Sequence, residues 1–136
     1  MTIEEALSTY LLAQSRITSL IGARYYPVEL PQECKMPAVV YRKISAPRFH
    51  AFSSDVGAYP RIEFTIYGDT YTSASSVSEQ LRSALQNYLS TTMGGAGGLY
   101  VTACLLENED DDYETDSKGN IKRYVKTADY IIWYEE

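Results

Sequence analysis

Histidine is almost missing from this chain of 136 residues, which carries a single one, His50. Cysteine is scarce too, with only Cys34 and Cys104. Two cysteines cannot build a disulfide framework. They also lack metal-ligand spacing, and His50 lies far from both in sequence, so no zinc-type ligand set is present. They read as a loop thiol and a strand thiol in a reducing cytoplasm. Basic residues are in deficit, 12 Lys and Arg against 18 Asp and Glu, for a formal charge of −6 and a pI near 4.8. That balance argues against a nucleic-acid-binding surface, which needs clustered cations; Arg42-Lys43 and Lys122-Arg123 are too short to supply one. No apolar run approaches the ~20 residues needed to cross a bilayer. The start, MTIEEALSTY, is acidic and amphipathic, unlike a secretory signal.

What is abundant is tyrosine, 13 residues of it. An apolar ring with a polar tip suits half-buried sheet faces and protein interfaces, so the excess tilts toward both. The length suits a single domain spanning residues 1–136. Thr2 and Glu5 have capping-box spacing, and Ile3, Leu7, Tyr10 and Leu11 follow at helical intervals. A short helical turn over 16–21 then ends at Gly22. Pro27, Pro31 and Pro37 hold the next segment extended. Residues 38–45 (AVVYRKIS) read as a strand. Residues 61–67 (RIEFTIY) alternate apolar and polar side chains, as a half-buried antiparallel strand does. The main helix is predicted over 72–89, with Ala74, Val77, Leu81, Ala84, Leu85 and Tyr88 as its buried stripe and a possible capping box at Ser76 and Glu79. Strands over 99–106 and 122–134 close the chain. The expected class is α+β: an antiparallel sheet with two main helices on one face, in the order helix, strand, strand, helix, strand, strand.

Two stretches fall outside that frame. Residues 46–60 (APRFHAFSSDVGAYP) are long for a connection, and loops of that length are usually functional or disordered. They carry Phe49, His50, Phe52 and Tyr59, whose rings either fold back onto the core or dock on a partner. The glycine run TTMGGAGG, 91–98, reads as a flexible terminator. A phosphate loop needs glycines between a strand and a following helix, and here the order is reversed.

Residues 108–120, NEDDDYETDSKGN, pose the sharpest chemical question. A calcium loop beginning at Asp110 would place Thr115 at the glycine position and Ile121 at the closing glutamate; beginning at Asp112 it would place Ser117 and Arg123 there. Both registers fail, so no metal site is expected. A catalytic carboxylate needs an environment that raises its pKa, and acids crowded in a polar segment stay hydrated instead. The sequence offers no nucleophile beside a base, so no catalytic residue is expected. The preferred reading is an acidic, hydrated hairpin tip, with Asp110, Asp111, Asp112, Glu114 and Asp116 on it and turn chemistry at Ser117-Lys118-Gly119-Asn120.

With the elements ordered, the chain resembles the small tail-completion proteins of long-tailed phages and prophages, also described as tail-terminator or head–tail joining proteins. The matching stretches are Glu5-Ala6-Leu7, LIGARYYPVELPQ over 20–32, MPAVVYRKIS over 36–45 and RIEFTIYGDTY over 61–71. A closing segment carries Asp112-Tyr113-Glu114, Tyr124, Asp129, Trp133 and Tyr134. The likeness covers nearly the whole chain and is weakest in 46–60 and the glycine run. It implies an α+β fold without cofactor or catalytic residue. It further implies a ring, six-membered, assembled in the host cytoplasm, that caps the tail tube in the virion and docks on the head connector. The partners it implies are other copies of the chain, the tail-tube protein and the connector protein. DNA would pass through the ring without specific binding, and clustered carboxylates facing the lumen would keep it from sticking. The alternative class is a monomeric acidic adaptor or inhibitor module.

Overall fold

The computed structural model describes residues 1–51, 54–86 and 88–135. Helix α1 (Ile3–Leu12) opens on Thr2, whose hydroxyl accepts from the Glu5 amide at 3.2 Å, and it buries Ile3, Ala6, Leu7 and Leu11. Helix α2 (Ser15–Ile21) buries Ile17 and Ile21 and stops at Gly22, whose φ of 61° favours glycine. The proline-punctuated segment is tied down by Arg24. Its Nε donates to the Pro37 carbonyl at 2.8 Å and its Nη2 to the Leu20 carbonyl at 3.2 Å.

Strands β1 (Tyr25–Pro27), β2 (Ala38–Ser45), β3 (Arg48–Ala51), β4 (Ser54–Ala58) and β5 (Arg61–Gly68) follow. Helix α3 (Tyr71–Gln86) and strands β6 (Thr91–Met93), β7 (Leu99–Thr115) and β8 (Ile121–Glu135) complete the chain. The architecture is mixed α+β, and its sheet is antiparallel except that β1 runs parallel to β2. From one edge the ladder runs β1, β2, β5, β8, with β7 on the far side of β8 and β6 on β7. The β3–β4 hairpin prolongs the β2–β5 pair, and β4 reaches β8 through Gly57↔Glu135 and Ala58↔Tyr134.

The core lies between the helices and the sheet face carrying Ile62, Phe64, Ile66, Tyr130 and Ile132. Leu81 and Leu85 of α3 and Leu7 and Leu11 of α1 join it, each fully buried. Each such side chain contributes on the order of 1.5–3 kcal/mol of transfer free energy. Tyr10 bridges two helices, donating its hydroxyl to the Ala84 carbonyl at 2.8 Å.

Three expectations are corrected here. Residues 46–60 are not a loop throughout: Arg48–Ala51 and Ser54–Ala58 pair as the antiparallel strands β3 and β4. The glycine run is partly strand, since Thr91–Met93 pairs with β7 before Gly94, Gly95 and Gly97 turn at positive φ. Helix α3 starts earlier than Ser76. Thr70 Oγ1 accepts from the Ser73 amide at 3.1 Å, which places the cap there, and the helix leaves Tyr88 outside.

Candidate interaction surface

Cross-strand partners share a sheet face, so register alone sorts the side chains. Opposite the core, Ile131 and Trp133 of β8 face Leu105 and Ala103 of β7. On this open side Phe49 and Tyr59 close over Trp133. The ring centroids lie 5.0 Å apart for Phe49–Tyr59, 5.1 Å for Phe49–Trp133 and 4.7 Å for Tyr59–Trp133. Phe49 is 36% exposed and Leu105 46% exposed, so the cluster is packed within the chain and still presents apolar surface. Of the predicted contact residues, the structure brings Phe49 and Tyr59 together on Trp133. His50 lies exposed on β3, and Phe52 lies outside the described residues.

The acidic stretch is relocated. Asp110, Asp111, Asp112 and Glu114 are not at a hairpin tip but in strand β7, opposite Thr127, Lys126, Val125 and Arg123 of β8. Only Asp116 sits at the turn, where its Oδ1 accepts from the Lys118 and Asn120 amides at 2.9 and 3.0 Å. Strand geometry sends alternate acids to opposite faces: Glu109 and Asp111 to the core side, Asp110 and Asp112 to the open side. They therefore do not converge on a common point. Among the described residues no group of three or more His, Cys, Asp and Glu is placed to hold a metal ion.

Several of these acids are neutralised locally. Asp111 Oδ1 accepts from Lys126 Nζ at 2.6 Å and its Oδ2 from the Tyr71 hydroxyl at 3.0 Å, while Lys126 Nζ lies 4.7 Å above the Tyr71 ring. The hydrogen bond from Lys126, helped by that from Tyr71, holds the Asp111 carboxyl below its ordinary pKa. Burial alone would pull Lys126 down, yet its bonds to Asp111 and Tyr71 outweigh it and raise the pKa. Glu114 Oε2 accepts from Arg123 Nε at 3.0 Å, and that guanidinium lies 5.3 Å from the Tyr67 ring centre.

The opposite edge is basic. Arg42 and Lys43 of β2 are exposed, Arg42 pairing with Glu63 at 3.3 Å on the open side and Lys43 with Glu4 at 2.7 Å on the core side. The two thiols divide as their surroundings dictate. Cys34 is half-buried in the segment after β1, whereas Cys104 is buried in β7 and burial pushes its pKa up to about 12. A surface cleft of about 560 Å³ near Cys34 is lined by Gln32, Glu33, Asp69, Lys122 and Arg123, a mixed-charge set open to water. Sequence reasoning missed Trp133 as the seat of the aromatic cluster; its alternation with Ile132 and Tyr134 was the available signal.

No family model matches the chain. No curated protein matches it in sequence. In fold it is similar to a chain from the virion of a native gene transfer agent particle, with a TM-score of 0.72 at 12% identity, covering 98% of this chain and 95% of that one. At that identity the likeness is one of fold.

Proposed function

We propose that the chain is a structural subunit of a phage or phage-like particle, and within it a tail-completion protein. It forms a ring of six that ends the tail tube and docks on the head connector, working through shape and contact surfaces with no bond made or broken. The observation that carries this reading is the fold likeness to a chain of a gene transfer agent virion, which covers 98% of this chain and 95% of that one. Two features of the molecule support it. Apolar surface at Phe49 and Leu105 remains for a partner to cover, and β7 leaves a long strand edge open on its outer side.

Electron microscopy of the purified protein with and without tail tubes tests the proposal. The expected result is rings, seated on one end of each tube. Protein that neither self-associates nor decorates tube ends would sink it. A monomeric adaptor makes the opposite prediction, a mass that stays constant at every concentration.

A further inference from the structure

The two long margins of the sheet carry opposite charge, and both are open. β7 is paired with β6 only as far as Val101, and the Thr102 carbonyl accepts from the Ser90 amide. Beyond that, no described strand covers its outer side, and residues 107–113 are all exposed. At the other margin β1 covers β2 only through Tyr41. From Arg42 onward β2, continued by β3, has no described strand on its outer side. An open strand edge is a template for pairing with another chain.

We propose that neighbouring copies in the ring are joined by sheet extension, the open edge of β7 of one copy pairing with the open edge of β2 and β3 of the next. This rests on the ring reading above and adds which surfaces meet. The main ladder β2, β5, β8, β7 is antiparallel throughout, so a second copy set beside the first in the same orientation brings its β2 antiparallel to β7. Arg42 stands level with Asn108 across the ladder, and a shift of two to four residues along β7, which keeps the faces in phase, matches charge on both faces at once. On the open side Asp110 and Asp112 meet Arg42; on the core side Glu109 and Asp111 meet Lys43. Equally important is what the charges forbid. Two β7 edges repel each other and so do two β2 edges, which removes the two-fold, self-complementary dimer and leaves the head-to-tail contact that closes a ring.

The test is sedimentation equilibrium over a rising concentration series. Asp110→Lys with Asp112→Lys makes the open side of both edges basic; Arg42→Glu makes the open side of both acidic, and the core-side match to Lys43 is left intact in each. Each variant alone is expected to associate about tenfold or more weakly than the parent chain. An equimolar mixture of the two is expected to recover association, because alternating copies restore every contact. The milder Arg42→Gln puts no new carboxylate beside Glu63, and loses less. Far-UV circular dichroism separates lost association from lost fold. If the parent chain forms rings and the variants match it, or if the mixture fails to recover, edge pairing is wrong while the ring stands. A parent chain that stays monomeric, alone and on tail tubes, overturns the ring reading and this contact with it.

Discussion

Cys104 and Cys34 differ by environment alone. A thiol whose pKa is raised to about 12 by burial holds almost no thiolate near neutrality, and the thiolate is the reactive form. The expected result is that a thiol reagent at pH 8 modifies Cys34 in the native protein and reaches Cys104 only after denaturation, as a count of labelled groups will show. Trp133 is the sole tryptophan, so its emission reports on the open-face cluster. Phe49→Ala removes one of its two aromatic neighbours, the tilted one; we expect a red-shifted emission and a stability loss of about 0.5–1.5 kcal/mol from the ring pair, beyond lost burial. The Asp111–Lys126 pair has a defined pH signature. A depressed carboxylate pKa means that the contribution of Asp111 is present above the ordinary carboxylate range and is lost as pH falls through the lowered value. Lys126, with its pKa raised, contributes below the ordinary lysine range and loses that contribution as pH rises through the raised value. Asp111→Asn is therefore expected to flatten the acid side of a plot of urea midpoint against pH.

At the level of elements, α1 was legible because a cap and an apolar stripe coincide, and the Thr2 cap is observed. Thr2→Ala is expected to lower stability by about 1 kcal/mol in a denaturant titration. The alternating run in β5 was equally legible, and its burial alternates residue by residue. Two elements were misread for physical reasons. Asp, Asn and Glu are depleted in strands, so a reading by composition ends β7 at Leu106, whereas cross-strand pairing to β8 carries it to Thr115. The β3–β4 hairpin was hidden by Pro47, serines and Gly57, all of which suggest a loop. Gly57 is there for another reason: an added Cβ would run into the Tyr134 carbonyl oxygen where β4 meets β8. Gly57→Val is expected to lift the hairpin off β8, and Trp133 emission should move with it, since Phe49 lies in β3 and Tyr59 directly follows β4.

For the whole molecule the decisive property is where charge sits. Its net value of −6 concerns solubility, but segregation of acids to one sheet margin and exposed cations to the other concerns the geometry of the proposed assembly. Screening shortens the reach of such charges from about 30 Å at 0.01 M salt to about 3 Å at 1 M. Association of the parent chain is therefore expected to weaken as salt rises. Salt-independent association, read by sedimentation, would point to the aromatic open face as the main contact.

Periodicity, capping and punctuation were enough to place the principal helices and β2, β5 and the start of β7, because those signals act between neighbours in sequence. What depended on the folded chain was every property of a surface. Whether an acid stands at a turn or along a strand is set by a partner fifteen residues away, as Asp111 and Lys126 are. Whether Phe49 meets Trp133 depends on register between segments far apart in the chain. Local patterns cannot encode either, since both arise only when the sheet brings its strands together.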